Sequence, residues 1–277
     1  MSEPPLKTVE AAAVASPASG RVYLRRYLRL APLAVALWRS TEAKYLSEVE
    51  LPRPLLDLGC GFGEFGQVFF SQPPELGIDI SRGDLLVARR DRCFQNLVQS
   101  DARRLPLAND QIGSIISIST LEHIEDPLAV LQEAHRVLRP GGTLAITMPT
   151  AKLSGYLLMP RLLRGVGLAR LGTAYAGRVN RFLQHVNLLS EAEWVQMLER
   201  AGFHVTSHRD IVSPTVTALF DLGLVPALPR RAWRIIFKRR LLRPKPLVSF
   251  WERLLLRYVD EQSADGSNIL VVGRKPA

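Results

Sequence analysis

A glycine-rich segment after an apolar run is the part of this sequence best suited to binding a charged cofactor. Leu55 to Gly66 reads LLDLGCGFGEFG, so Asp57 ends the apolar run and glycines follow at positions 59, 61, 63 and 66. This pattern predicts a buried strand, a loop whose backbone angles favour glycine, and the start of a helix. Without Cβ atoms, the loop lets a flat, charged ligand lie against backbone N–H groups. Because Gly61, Gly63 and Gly66 also fit G-x-G-x-x-G, this segment alone leaves a dinucleotide site open.

Carboxyl side chains follow two further runs that are predicted to be strands. The apolar run at 75–79 closes with Asp79, from which one carboxylate can accept hydrogen bonds from two ribose hydroxyls. Asp101 and Ala102 come shortly after the run Asn96-Leu-Val-Gln. The alternative for Asp57 and Asp101 is an ordinary acid at a strand end or in a turn.

The segments that come next complete an ordered set of motifs. A strand-like run at 112–119 leads into Leu-Glu-His-Ile-Glu-Asp-Pro, and a predicted helix closes with Val137-Leu-Arg-Pro-Gly-Gly before a strand at 143–148. This set resembles the class I S-adenosylmethionine (SAM)-dependent methyltransferases. It is most similar to their small-molecule and lipid group, which includes the ubiquinone- and menaquinone-biosynthesis enzymes. The resemblance is close from Leu51 to Pro149, looser to Val212, and resumes at the C-terminal strand.

Two other classes of protein stay open beside this one. An NAD-dependent oxidoreductase would explain the glycines, but it leaves the Leu-Arg-Pro-Gly-Gly segment unexplained. A catalytically inactive SAM-binding or membrane-surface module would keep the fold, although the presence of Asp57, Asp79 and Asp101 argues against lost function. We therefore predict a SAM-dependent methyltransferase with a small acceptor that is apolar or lipid-like.

The resemblance also implies which residues hold the cofactor, SAM. They lie in and after the predicted strand ends and comprise Asp57, Gly59, Gly61, Asp79, Ile80, Asp101, Ala102, Ser119 and Leu121. By this resemblance Asp57 helps to place the ammonium of the methionine part, and Asp79 takes the ribose hydroxyls. Asp101 accepts from the adenine amino group, while Ser119 and Leu121 border the methionine part.

Two histidines are candidates for contact with the methyl acceptor. His123 follows the fourth predicted strand, where the methyl group is expected to emerge, and its pKa range suits a general base for a hydroxyl or phenol. The alternative is that His123 orients a loop or lines the pocket. Glu122 and Glu125 could counter the sulfonium charge, but we expect both to face solvent. His185 is a candidate substrate-binding residue, and because no His, Cys and Asp cluster has metal-ligand spacing, no metal is predicted.

Repeated strand–helix alternation predicts an α/β fold with a doubly wound, seven-stranded, mostly parallel sheet. The predicted strands lie near 54–58, 75–79, 96–100, 113–119, 143–148, 203–211 and 268–273. The resemblance implies a Rossmann-like methyltransferase fold whose last two strands form an antiparallel hairpin. The predicted divisions are a disordered lead with N-terminal helices (1–50), a SAM-binding core (51–212), a basic, apolar helical insertion (213–267) and a final strand (268–277).

Two predicted helices have well-marked ends. Asp126 is the expected N-cap and Pro127 the first residue of a helix that Gly141 and Gly142 are expected to stop. A capping box starts another helix at 190–193. Apolar residues at helical spacing also predict one or two helices over 21–50, which either cover the substrate site or only cap the sheet.

The positive charge of this chain is concentrated in one segment. The formal net charge is +10, and 229–257 holds ten Lys and Arg residues against the single Glu252. Its aromatic residues are interleaved with these cations: Trp233, Phe237, Phe250 and Trp251. The pattern suits a helix on an anionic membrane surface, a lid over the active site, or a nucleic-acid contact. The small-molecule motif set argues against nucleic acid.

Cysteine use and hydropathy bear on the compartment. Cys60 and Cys93 are the two cysteines, which argues against a disulfide framework and for a reducing environment. No apolar window reaches the ~20 residues that a membrane-spanning helix needs. We expect a cytoplasmic protein whose membrane contact, where it has one, is peripheral and on the inner face.

Overall fold

The computed structural model describes residues 20–224 and 243–277 of the 277-residue chain. Its strands are β1 (Leu55–Leu58), β2 (Leu76–Asp79), β3 (Asn96–Gln99), β4 (Ile112–Ile118), β5 (Leu138–Pro149), β6 (His204–Asp210) and β7 (Asn268–Arg274). They form one sheet in the order β3-β2-β1-β4-β5-β7-β6. Strand β7 is antiparallel to β5 and β6, and the other pairs are parallel. The seven predicted strands and the antiparallel pairing of the last two are confirmed.

Helices cover both faces of this sheet. They are α1 (Gly20–Leu30), α2 (Leu33–Leu46), α3 (Glu64–Phe69), α4 (Arg82–Arg90), α5 (Pro127–Val137), α6 (Leu153–Tyr156), α7 (Leu158–Gly165), α8 (Ala169–Phe182), α9 (Glu191–Arg200), α10 (Pro214–Leu224) and α11 (Lys245–Asp260). The prediction of one or two helices before the first strand is confirmed by α1 and α2.

The core divides by strand alternation, because neighbouring residues of a strand point to opposite faces. Leu55 and Ile116 belong to an apolar cluster that also contains buried residues of α1, α2, α10 and α11. Leu56 and Ile115 belong to a second cluster with buried residues of α5 and α9, including Trp194. Each central strand is apolar on both faces because helices pack against both faces of the sheet. This is the doubly wound arrangement predicted from the sequence.

One helix of the insertion packs on the N-terminal helices. Buried Glu252 of α11 accepts from Arg21 Nε of α1 at 2.6 Å, and Val259 O accepts from Lys44 Nζ of α2 at 3.0 Å. Of the predicted basic segment 229–257, the structure describes residues 243–257. Trp233 and Phe237 lie outside the described residues. Among residues 20–224 and 243–277, no helix combines the length and apolarity needed to cross a bilayer.

One predicted helix end is wrong. Asp126 Oδ1 accepts from Ala129 N at 3.1 Å, so the predicted N-cap of α5 is confirmed. The helix, however, ends at Val137 and not at Gly141 and Gly142, because Leu138 is extended and begins β5. A proline disfavours helical angles at the residue before it and cannot donate a hydrogen bond, so Pro140 already excludes a longer helix. The capping box of α9 forms as predicted.

Candidate active site

The glycine loop turns sharply between β1 and α3. Gly59 has a φ of 79° and Gly63 a φ of 78°, both in the left-handed region. A Cβ on Gly59 would also lie 2.2 Å from the Thr120 side chain. The N–H groups of Gly59 and Cys60 donate to Ile78 O on the neighbouring strand. The loop therefore lies against the ends of β2 and β4, and the predicted order of strand, glycine turn and helix start is confirmed.

A cleft of about 490 Å³ opens at the carboxyl ends of the first four strands. Of the cofactor residues predicted from the sequence, it is lined by Gly59, Asp79, Ile80, Asp101, Ala102 and Ser119. The strand order reverses here, with β1 between β2 and β4, and parallel α/β sheets bind ligands at such switch points. Thr120 and Ile124 also line the cleft, and the sequence reasoning missed both.

Asp79 and Asp101 of the cleft are fixed by hydrogen bonds to neighbouring groups. Asp79 Oδ2 accepts from Gly61 N at 2.8 Å, and Oδ1 accepts from Ser81 N at 2.7 Å. Asp101 pairs with the Arg103 guanidinium at 2.7 Å, and hydrogen bonds from Arg103 lower the pKa of that carboxyl to about 2. Each carboxylate keeps free lone pairs, so the fixed acids fit the ribose hydroxyls and the adenine amino group of SAM.

Three of the predicted cofactor residues lie away from the lining of this cleft. The side chain of Leu121 is 1% exposed and packs in the second apolar cluster, so it does not line either cavity of the site. Gly61 contributes its N–H to Asp79. Asp57 lies beneath the loop at 2% exposure, and burial and nearby Asp79 raise its pKa to about 7, while Arg39 acts in the opposite direction. A buried carboxyl of this kind fits the cationic ammonium of SAM.

A second cavity of about 310 Å³ adjoins the cleft. Its apolar lining consists of Val35, Trp38, Phe62, Pro149, Leu153, Phe182, Leu183 and Phe220. Its polar lining consists of Arg39, Glu64, Ser119, Glu122, His123, Gln184 and His185. Ser119 and His123 line both cavities, so the boundary between them is the place where a group could pass from one to the other.

Two histidines lie together on the wall of the second cavity. Their rings stack with centroids 5.6 Å apart, and His123 Nδ1 is 3.0 Å from Gln184 O. A carbonyl only accepts, so we assign the proton of neutral His123 to Nδ1, which leaves a lone pair on Nε2. Burial lowers the pKa of His123, and burial and His123 lower the pKa of His185 to about 4. Both rings are therefore neutral near pH 7.

The prediction that Glu122 faces solvent is wrong. It was expected to face solvent with Glu125, but its side chain is 2% exposed and borders the second cavity, whereas Glu125 is exposed. Its backbone carbonyl accepts from Val186 N and Asn187 N, which draws the turn at 121–123 under the loop after α8. Burial raises the pKa of Glu122 to about 8. The local sequence gave no sign of this, because the burial comes from a segment more than 60 residues away in the chain.

A buried network that the sequence reasoning also missed joins α2 to the strand ends. Glu42 Oε1 accepts from Ser119 Oγ at 3.0 Å, Thr147 Oγ1 at 2.9 Å and Asn268 Nδ2 at 2.8 Å. Glu42 Oε2 accepts from Arg39 Nη1 at 2.8 Å, and the same nitrogen is 3.1 Å from Ser119 Oγ. Arg39 and Glu42 are three residues apart in a helix whose first six residues are apolar, and this pair of opposite charges was the available signal.

Comparisons with known proteins agree with this geometry. A family model described as a methyltransferase domain matches residues 24–208. The methyltransferase GfsG of Streptomyces halstedii is 30% identical over 228 residues, which are 74% of this chain and 77% of that protein. A malonyl-(acyl-carrier protein) O-methyltransferase of Alcanivorax borkumensis is 33% identical over 199 residues, 69% of this chain and 61% of the relative.

The fold agreement extends to a solved structure. A SAM-dependent methyltransferase from Thermotoga maritima superposes with a TM-score of 0.55 at 16% identity, covering 88% of this chain and 91% of that one. At this identity the likeness shows the fold alone. The family-model match spans more than half of the chain and includes the glycine loop, Asp79, Asp101 and His123. The oxidoreductase alternative is therefore set aside, and the chain belongs to the SAM-dependent methyltransferases.

Proposed function

We propose that this enzyme methylates a hydroxyl or phenol oxygen on a small acceptor with an apolar body. The observation that carries the proposal is that the cofactor cleft and the second, largely apolar cavity share Ser119 and His123. An acceptor in the second cavity would reach the cleft past these two side chains. The relative named as an O-methyltransferase supports oxygen as the target atom.

His123 is the group we assign as general base. Its Nε2 lone pair can take the proton of the acceptor hydroxyl while the oxygen forms its new bond to carbon. When bound, SAM supplies an electrophilic methyl group whose carbon–sulfur bond breaks to leave a neutral thioether. Most of the barrier reduction in such a displacement comes from orientation and water exclusion. Trp38, Phe182 and Phe220 form apolar walls of the second cavity, which would orient the acceptor and exclude water.

The remaining residues of the prediction take supporting roles in this proposal. Asp79, Asp101 and Ala102 hold the nucleoside part of SAM in the cleft, and Asp57 balances its ammonium from beneath the loop. His185 stacks on His123 and keeps its ring in place. The lining of the cleft supports the roles of Asp79, Asp101 and Ala102, the burial of Asp57 beneath the glycine loop supports its role, and the ring contact supports that of His185.

The experiment that tests the proposal is a search for the labelled product. The protein is incubated with methyl-labelled SAM and a cell lysate, which is then separated into lipid, polar small-molecule and macromolecular fractions. We expect label in the lipid or apolar small-molecule fraction. Label in protein or nucleic acid would contradict a small acceptor, and SAM binding without any label would indicate a binding module.

A matched pair of histidine variants tests the base. His123→Ala should lower kcat by about 10²–10⁴, the usual contribution of a general base. His204→Ala removes an exposed histidine at the start of β6 and should leave kcat unchanged. A loss below tenfold for His123→Ala, with wild-type SAM affinity, would assign His123 to lining the pocket.

We also propose that the basic segment 229–257 attaches the enzyme peripherally to the inner, cytoplasmic face of an anionic membrane. In its described part, α11 exposes Phe250 at 57% and Leu254 at 43%, and Arg253 and Arg257 are exposed beside them. Apolar residues among cations suit the headgroup region of a bilayer. Sedimentation with anionic vesicles should show binding that falls at high salt, whereas binding that is equal on neutral vesicles would contradict the proposal.

A further inference from the structure

A helical hairpin outside the active site exposes an unusual amount of apolar surface. Helices α7 and α8 meet at an apex, residues 161–171, in which every residue except Leu163 is exposed. Four aliphatic side chains point to solvent there: Leu162 (55% exposed), Val166 (71%), Leu168 (47%) and Leu171 (56%). Scattered exposed aliphatic residues are ordinary, but four within ten residues of one projecting turn form a patch.

The charged residues within the hairpin segment itself all have one sign. Between residues 151 and 190 there are six Lys and Arg residues and no Asp or Glu. Arg161, Arg164 and Arg170 lie within the apex and are exposed. Within the described parts of the chain, none of the three forms an ion pair. The apex therefore combines protruding aliphatic side chains with unneutralised guanidinium groups.

The base of the hairpin is fixed, so the apex is held in place from within the fold. Buried Asp221 of α10 accepts from Met159 N at 2.9 Å and from Tyr175 OH at 2.6 Å, which joins α7 and α8 to α10. Asn180 Nδ2 donates to Ser154 Oγ at 3.1 Å, which joins α8 to α6. Helix α8 starts at the apex, and its last residue, Phe182, lies in the wall of the second cavity.

We propose that the apex at 161–171 is a lipid-contact surface that inserts its aliphatic side chains into the headgroup region of an anionic membrane. The inference builds on the proposed function, because a membrane-resident acceptor would then be approached by the helix that ends in the cavity wall. It goes beyond the segment 229–257, since the hairpin is a separate element with its own apolar tip.

The shape of the apex favours lipid over an acidic protein partner. A protein partner would have to supply a groove that fits four side chains projecting from a convex turn. A bilayer needs no such groove, since protruding aliphatic groups enter it individually while arginines stay at the phosphates. The three exposed arginines of the apex, which form no ion pair within the described parts of the chain, match a surface that is uniformly negative.

Vesicle sedimentation with the full chain tests this surface. The probes are phosphatidylcholine vesicles with and without phosphatidylglycerol, at low and high salt. The charge variant reverses the apex arginines: Arg161→Glu, Arg164→Glu and Arg170→Glu. Its control makes the same change at exposed arginines outside the hairpin: Arg89→Glu, Arg139→Glu and Arg200→Glu. The apolar variant is Leu162→Ser with Val166→Ser.

The expected result is a loss of affinity for anionic vesicles of at least tenfold in the charge variant, with a much smaller loss in its control. The apolar variant should weaken binding at high salt as well, because salt does not screen the burial of aliphatic groups. Equal losses in the charge variant and its control would overturn the proposal, since they would reflect net charge alone. It would also be overturned if only an acidic protein such as an acyl carrier protein bound the apex.

The vesicle-binding result can be interpreted separately from the test of methyl transfer. All variants lie outside both cavities, so SAM affinity measured by calorimetry should match the wild type. Vesicle binding that is retained by a protein without methyl transfer would contradict the proposed function and leave the surface intact. Normal methyl transfer by a protein that ignores anionic vesicles would refute the apex surface, and the membrane attachment proposed for 229–257 with it, while leaving the proposed methyl transfer intact.

Discussion

Replacing Glu42 with alanine tests whether the contact between α2 and the sheet holds the active site together. Glu42 is fully buried, and its two oxygens accept from the side chains of four residues: Arg39, Ser119, Thr147 and Asn268. The last three lie directly after β4, within β5 and at the start of β7. One carboxylate therefore joins the N-terminal helices to three strands beside the cavities.

Glu42→Ala removes one ion pair, to Arg39, and three further hydrogen bonds from this buried network. Removing one partner of a buried ion pair costs about 3–5 kcal/mol, and each buried donor left without an acceptor costs about 1–3 kcal/mol. The contributions are not additive, and the Arg39 side chain is 27% exposed, so water offsets part of its loss. We expect Glu42→Ala to lower the free energy of unfolding by about 3–5 kcal/mol, a large share of the roughly 5–15 kcal/mol typical of a domain.

Urea unfolding followed by circular dichroism measures this loss, and Glu48→Ala is the matched control. Glu48 follows the same helix and pairs with Arg209, but the two side chains are 44% and 42% exposed, so a loss below about 1 kcal/mol is expected. Glu42→Gln keeps an acceptor oxygen and should recover part of the stability if the alanine variant does not fold. Small losses of equal size for Glu42→Ala and Glu48→Ala would refute the reasoning.

Three further changes address the cofactor cleft and the ionisable groups of the second cavity. Asp79→Ala should weaken SAM at least ~10-fold in titration calorimetry, because charge-assisted hydrogen bonds worth roughly 1.5–3 kcal/mol each are lost, whereas exposed Asp260→Ala should not. Glu122 has a folded-state pKa of about 8 against an ordinary 4.5, so wild-type stability should fall as pH rises through this window and then level off. Glu122→Gln has no charge to bury, and its gain in Tm over the wild type should grow across the same window; a constant difference would contradict the shift. Since the pKa of His123 is lowered from its usual 6.5, kcat/KM should rise with pH below 6.5 and stay level near neutrality, and His123→Ala should lack that rise.

The features that could be predicted from the sequence are those written in a few consecutive residues. Leu55 to Leu58 are apolar without interruption and lead into glycines, and a strand buried on both faces followed by a left-handed turn is the structure that suits this order. The same holds for Asp126 and the capping box of α9, because a cap is a contact within one turn. Asp79 ends β2 and Asp101 follows β3 by two residues, which brings both to the lining of the cleft, and their contacts with SAM stay predictions.

The features that were missed depend on contacts between distant segments. Leu121 was assigned to the cofactor by its position after β4, but the turn at 121–123 directs its side chain into the core. Glu122 is buried by the loop at 184–187, and the three partners of Glu42 on the sheet, Ser119, Thr147 and Asn268, are 77 to 226 residues away from it. A sequence pattern indicates on which face of its own helix or strand a residue lies. It does not indicate which residues of a distant segment pack against that face.

The raised pKa values of two buried acids suggest how the site could bind SAM more tightly than S-adenosylhomocysteine. Burial raises the pKa of Asp57 to about 7 and that of Glu122 to about 8, so each is costly to ionise in the empty protein. The ammonium and sulfonium of SAM would favour the ionised forms, and by linkage the ionised forms would favour SAM. S-adenosylhomocysteine keeps the ammonium but has lost the sulfonium charge with the methyl group. If the predicted site is right, carboxyls that are costly to ionise in the empty protein would strengthen the SAM complex more than the S-adenosylhomocysteine complex, and SAM binding would offset their cost in stability.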